Sequence, residues 1–236
     1  MSGWAKKRFW DATTIAEDEN GFEILLDGRS VKTPAKAPLI VPTRAMAEAI
    51  AAEWDAQEGE IDPKTMPTTR GANAAIDKVR IQHAEVADML AEYGNSDLLC
   101  YRATQPQELI ARQAKVWDPL LERAASELGA ALCIRSGIIH EDQDAASLAA
   151  LRNRVHAFNE FELAAFHDLV SLSGSLVIGF AAIYRWEPIG KLWDISRTDE
   201  IWQEEQWGTD EEAQKHAEIK REAFLQADRF FSMSRS

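Results

Sequence analysis

A chain of 236 residues with 46% hydrophobic and 28% charged side chains can bury the core of one large or two small domains, which excludes wholesale disorder. Its formal net charge of −13 repels phosphate backbones and anionic lipid, so nucleic-acid binding and membrane association are set aside, and a basic or amphipathic protein surface remains as partner. Two cysteines, Cys100 and Cys133, form neither a CxxC pair nor a metal-ligand spacing and read as buried, reduced thiols of a cytosolic protein.

The N-terminal MSGWAKKRFWDATT has no long apolar run and no Arg/Ser-rich presequence, so the expectation is a cytoplasmic protein without signal or transit peptide. Strands come first. FWDATTIAEDENGFEILLDGRSVKTP holds β-favouring runs broken at Asn20-Gly21 and Asp27-Gly28, dipeptides that supply the positive φ of tight hairpins, and PLIVP adds a short strand ending at Pro42. Such a small antiparallel meander needs a cover. Thr43 reads as the N-cap of a helix carrying Met46, Ile50 and Trp54 on one face, with Gly59 beyond its end. EIDPKTMPTTRGAN, with Pro63, Pro67 and Gly71, reads as the joint between a β-rich domain (1–65) and an all-α domain (66–236). Strands followed by helices imply the α+β class.

Past the joint, Arg70, Asn73 and Asp77 share a helix face at 3-4 spacing and read as a fastening of the two regions or as a small-anion site. AAIDKVRIQHAEVADMLAEYG predicts one or two helices. PQELIARQAKVWDPLLERAASELGA predicts another, with Leu109, Gln113, Val116, Leu120 and Ala124 on one face and a kink or boundary at Pro119. ALCIRSG reads as a lone short strand; Leu148, Leu151, Val155 and Phe158 space a further helix. Residues 161–184 form two apolar helical segments, and the Leu169–Tyr184 run is shorter than the roughly 20 residues of a membrane span. Two acidic helices follow, separated at Gly208, with Phe224 and Phe231 along the last.

Chemistry-bearing motifs are sparse. GxGxxG, GxxxxGK[ST] and HExxH do not occur. Glu212 and His216 lie four apart, as a chance pair on a solvated helix does, and no metal or cofactor is expected. His167-Asp168 with Ser171, Ser173 and Ser175 is the nearest approach to a nucleophile set. Neighbours on a helix point about 100° apart, however, so Asp168 is poorly placed to orient His167, and the small residues read better as a tight helix junction. A small-molecule hydrolase using His167 and these serines stays as one alternative, and a general acidic interaction module as another.

The stretch DEIWQEEQWGTDEEAQKHAE weaves carboxylates among tryptophans. Taken as one helix from Pro188 to Trp207, it aligns Trp193, Glu200 and Trp207 seven apart, with Glu204 one turn beyond Glu200. Three readings stand: core indoles with Glu200 paired to Arg185 or Arg197; a recognition surface in which indoles give contact area and carboxylates steer a basic partner; or Glu200 and Glu204 as an acid/base pair.

The segments at Leu25–Gln57, Ile61–Asp77 (IDPKTMPTTRGANAAID), Asp97–Ala103 (DLLCYRA), Trp117–Leu121 (WDPLL) and Ser196–Gly208 (SRTDEIWQEEQWG) together resemble the chaperones that assemble the catalytic sector of F-type ATP synthase, and among these the member that binds the α subunit. The likeness spans nearly the whole chain. It implies a non-enzymatic holdase that keeps unassembled α subunit from aggregating until β subunit replaces it; mitochondrial members carry transit peptides and none is evident here, so the expectation is a cytoplasmic bacterial member, and a monomer. The implied fold is a small β-rich domain followed by an all-helical one. The family's C-terminal pattern of an acid, Gln, Trp-Gly and a second acid falls on Glu200, Gln203, Trp207, Gly208 and Glu211. With Glu204 and Trp193 these make the expected client-binding set, and Trp54 falls on the N-terminal helix tryptophan. Thr198 stands where the pattern has an aliphatic residue.

Overall fold

The computed structural model describes residues 7–137 and 139–235; the stretch screened for targeting signals lies partly outside them. The fold is α+β, a small sheet followed by helices. Two compact units are distinguished. One comprises the chain up to His83, Asn159–Ala165 and the residues from Arg229 onward; the other comprises Ala84–Phe158 and Phe166–Asp228. The first boundary along the chain therefore falls at His83, later than residue 65.

In the first unit, β1 (Thr13–Asp18) and β2 (Gly21–Leu26) pair antiparallel from Thr13↔Leu26 to Asp18↔Gly21. Asp27 (φ 48°) and Gly28 (φ 75°) make the primed turn into β3 (Arg29–Ser30), as the dipeptide predicts. Gly21 has a second reason to be glycine: a Cβ there would lie 2.2 Å from the Val41 carbonyl oxygen of β4 (Ile40–Val41), which pairs with the same edge of β2 as β3 does. Thr43 caps α1 (Arg44–Asp55) through Oγ1, which accepts from Met46 N–H at 3.2 Å. Met46, Ala47 and Ile50 of α1 are buried, as are Ile24, Leu26, Leu39 and Val41 of the sheet region, so the helix is the cover that the meander needed.

The Pro-rich segment is helical. Pro63–Thr65 form a 3-10 turn, and α2 (Pro67–Ala74) continues into one wide turn over Ala75–Val79. Two carboxylates tie it down. Glu53 of α1 accepts from Thr68 N–H (2.6 Å), Thr69 N–H (2.7 Å) and Thr69 Oγ1 (2.7 Å), capping α2 from a neighbouring helix. Asp77 accepts from Thr33 Oγ1 (2.6 Å) and Ala35 N–H (3.0 Å). Thr43 Oγ1 also donates to the Met233 carbonyl at 2.5 Å, and Glu162 holds Arg235 at 2.5 Å, so the late segments of the chain complete this unit.

Among the described residues, the second unit has one short parallel strand pair and is otherwise built of helices and their connections. α3 (His83–Ala91) is followed by β5 (Tyr101–Arg102), which pairs with β6 (Arg135–Ser136); the strand expected alone has a partner distant in sequence. α4 (Gln107–Arg123) runs through the exposed Pro119, so no boundary falls there, and a wide turn over Ala124–Leu128 ends at Gly129 (φ 72°). α5 (Ala145–His156) starts at Asp144, which accepts from Ser147 N–H at 2.8 Å. α6 (Glu160–Ser173) and α7 (Leu176–Ile183) meet at Gly174 (φ 72°), and every residue of α7 is buried. A Cβ on Gly179 would lie 2.8 Å from Val170 Cγ2, so α6 and α7 approach as closely as small residues allow. Cys100 is buried, and burial pushes its thiol up to about 12. Cys133 is exposed, against the expectation of two buried thiols.

Candidate functional site

The span from Pro188 to Trp207 is two helices, α8 (Ile189–Ser196) and α9 (Thr198–Trp207), so the expected single helix is corrected. The break has an identifiable cause. The Ile195 carbonyl accepts from the indole N–H of Trp117 (2.9 Å) and from Thr198 Oγ1 (2.8 Å), and Ser196 Oγ donates to the Trp193 carbonyl (2.7 Å). Hydroxyls and a distant indole thus satisfy the last carbonyls of α8 in place of a continuing helical ladder. Thr198, at a position expected to be aliphatic, is 5% exposed and serves this turn with its hydroxyl.

The break separates the two tryptophans that a heptad repeat would align. Trp193 is 4% exposed, with its ring centroid 5.7 Å from that of Phe224, and belongs to the core. Trp207 is 79% exposed at the last turn of α9. Glu200 and Gln203 are exposed too. At about 100° per residue, Glu200, Gln203 and Trp207 fall within roughly 60° of one another on α9. Glu204 lies at the margin of this face, half-buried and paired to Arg197 at 3.1 Å. Arg185 pairs with Asp228, so neither expected arginine holds Glu200, and among the described residues Glu200 has no ion-pair partner.

Gly208 (φ 89°) turns the chain, a conformation that favours glycine. Asp210 then caps α10 (Glu211–Met233) by accepting from Glu212 N–H (2.8 Å) and Ala213 N–H (2.9 Å). No residue from Glu211 to Ala223 is buried, and Ile219 is 67% exposed. Asp199–Glu222 carries nine carboxylates against three cations, close to half of the whole net charge of −13. Glu211 stands at the start of this arm.

The opposite side of α9 is fastened to α4 by residues that no local pattern singled out. Arg112 grips Glu205 with both terminal nitrogens, at 2.6 and 2.7 Å, and its guanidinium lies 5.7 Å from the Trp202 ring centroid. Gln113 Nε2 donates to Asp199 Oδ1 at 2.7 Å. The hydrogen bond from Arg112 holds the Glu205 carboxyl below its ordinary range, and the same bond raises Arg112. The only trace in the sequence is an Arg-Gln pair on one helix and acids on another, too common to be a signal.

Of the other candidates, Asp77 fastens its helix to the loop after β3. Arg70 is exposed, and Asn73 is half-buried with its Oδ1 buried and unpartnered. Trp54 is half-buried against Trp10, with centroids 5.3 Å apart. His167 Nδ1 does contact Asp168 Oδ1 at 3.0 Å, against the expectation from their 100° separation, at a solvent-facing position. Both buried serines are engaged elsewhere: Ser173 Oγ donates to the Leu169 carbonyl (2.6 Å), and Ser175 Oγ donates to Asp97 Oδ1 (2.7 Å) while accepting from Ile178 N–H (3.0 Å). Asp97 is fully buried and also accepts from Leu99 N–H and Val177 N–H, both at 3.0 Å; burial still pushes its carboxyl up to about 6. Among the described residues, no group of three or more His, Cys, Asp or Glu side chains is arranged to hold a metal ion, and no helix is long and apolar enough to cross a membrane.

Comparison with known proteins gives consistent matches. Residues 7–125 match the family model of the ATP12 chaperone protein. The chain is 26% identical over 219 residues to protein atp12, mitochondrial, of Schizosaccharomyces pombe, covering 88% of this chain and 75% of that protein. The crystal structure of Atp12 from Paracoccus denitrificans superposes with a TM-score of 0.96 at 45% identity, covering 99% of this chain and all of that one. The Atu1473 protein of Agrobacterium tumefaciens superposes with a TM-score of 0.92 at 38% identity, over 96% of this chain and 85% of that one.

Proposed function

The chain belongs to the ATP12 family of ATP synthase assembly chaperones, and from that premise we propose that it binds unassembled α subunit, prevents its aggregation and hands it on for assembly of the catalytic sector. The reading takes it to act as a cytoplasmic monomer of a bacterium and to perform no reaction of its own. The observation that carries it is the outward face of α9, where Glu200, Gln203 and a Trp207 that is 79% exposed stand together with Glu211 beyond the Gly208 turn.

The physical chemistry suits a holdase. An orphan subunit exposes apolar and strand-edge surfaces that aggregate. An indole offers large contact area at low entropic cost, and surrounding carboxylates steer a basic surface quickly, in a salt-dependent way, without a permanent seal. Trp193 and Glu204 contribute from behind, one as core and one through Arg197, and Gly208 sets the angle of the arm.

The test is suppression of purified α-subunit aggregation, followed by light scattering, by Glu200→Lys and Glu211→Lys. Both are exposed, so the melting temperature is expected to stay within about 2 °C of the parent, as surface substitutions do. Suppression is expected to weaken severalfold and more at low salt. Full suppression by both variants would remove α9 and the start of α10 from the client surface.

A further inference from the structure

We infer that Arg112 is the positioning residue of the client face: it sits on α4, away from that face, and sets the pose of α9 on which Glu200, Gln203 and Trp207 depend. The inference rests on the reading of α9 as a client surface and extends it to a residue on the opposite side.

Burial alone does not hold α9. Thr198, at its first turn, is the one residue of the helix that is buried, and Ile201 and Trp202 are half-buried. A helix of ten residues with so little apolar anchorage is marginal by itself. What remains is polar and directional. The Arg112 fork spans both Glu205 oxygens at 2.6 and 2.7 Å, a geometry that resists rotation about the helix axis as a single contact does not. The same guanidinium faces the Trp202 ring, one turn back. The adjacent Gln113 donates to Asp199, a further turn back, so two neighbouring residues of α4 grip α9 along its length. Asp199, Trp202 and Glu205 recur every three residues and so line one side of the helix. At about 100° per residue the middle of that side lies about 130° around the helix from the middle of the arc of Glu200, Gln203 and Trp207. Rotation of α9 by one residue's worth of angle would turn Trp207 toward the body of its own unit.

Lysine cannot replace the fork, since an ammonium offers a point charge where the guanidinium offers two parallel donors and a planar face. Isolated surface ion pairs contribute little, and Arg112 and Glu205 are 34% and 48% exposed; the pair acts here as a geometric clip more than as a source of global stability.

The experiment measures hydrogen exchange of the α9 amides in the free protein, and suppression of α-subunit aggregation, for Arg112→Ala, Arg112→Lys and the swapped pair Arg112→Glu/Glu205→Arg. Arg112→Ala is expected to speed α9 exchange by about fivefold to tenfold, the range set by one charge-assisted bond at a half-exposed site. Exchange in α7 and the melting temperature should stay as in the parent. Suppression should fall, with Arg112→Lys intermediate and the swapped pair recovering both readouts. Unchanged α9 exchange in Arg112→Ala would overturn the inference, as would loosened α9 with full suppression. A different pattern marks failure of the client-face reading: loss of suppression in Arg112→Ala while Glu200→Lys and Trp207→Ala suppress normally. The pose would then matter, but to a different face.

Discussion

The two tryptophans of the C-terminal region test the separation of core from surface most directly. Trp193 is 4% exposed and Trp207 is 79% exposed. A tryptophan hides up to about 250 Å² when buried, so Trp207 conceals roughly 50 Å² and Trp193 roughly 240 Å². At about 25 cal/mol per Å², truncating Trp207 forfeits about 1 kcal/mol at most. Trp193→Ala loses several times that, and the cavity left beside Phe224 places it at about 3–5 kcal/mol. Urea denaturation should therefore show a large drop in midpoint for Trp193→Ala and a small one for Trp207→Ala, with unchanged slopes. Suppression of client aggregation should reverse the order when both are assayed at a temperature where each is folded: Trp207→Ala weak, Trp193→Ala near the parent. A destabilisation of 3 kcal/mol or more in Trp207→Ala would refute its free exposure, and unimpaired suppression would refute its role.

Glu53→Ala strips three hydrogen bonds from the start of α2, two of them to backbone N–H groups of Thr68 and Thr69, both 4% exposed. The loss is expected at about 3 kcal/mol, read by chemical denaturation; a value under about 1 would mean that the turn finds other partners. Asp97 yields a pH signature. Its folded carboxyl is raised to about 6 from 3.8, so the folded state binds this proton more tightly than the unfolded chain does. The sign is therefore destabilising as pH rises from about 4 to 7, by about 3 kcal/mol, fully present above the raised value and absent below the ordinary one. Asp97→Asn lacks this titration, so the parent's stability relative to that variant should fall across the same window; a flat or rising difference would count against the assignment.

Much of the fold was legible because its signals are local. The Asp27-Gly28 turn, the Thr43 cap and the Gly174 junction each follow from what a few consecutive residues allow in φ, ψ and near-neighbour hydrogen bonds. The same holds for the apolar spacing of Leu151, Val155 and Phe158, all of which are buried. The outward set Glu200, Gln203 and Trp207 was legible as a family pattern; its common face holds because all three lie within α9.

The rest depended on residues far apart in the chain. Periodicity carried one helix from Pro188 to Trp207 and aligned Trp193 with Glu200, whereas the Trp117 indole, 78 residues from Ile195, takes the carbonyl that a continuous helix would have used. Glu53 capping a second helix, Asp97 serving the start of α7 and Arg112 clipping α9 to α4 are of the same kind. Turns and caps close over three or four residues, so the sequence determines them. A carboxylate buried among amides, or an arginine forked onto a distant helix, gains its partner only after the chain has been brought together, and that only the tertiary structure decides.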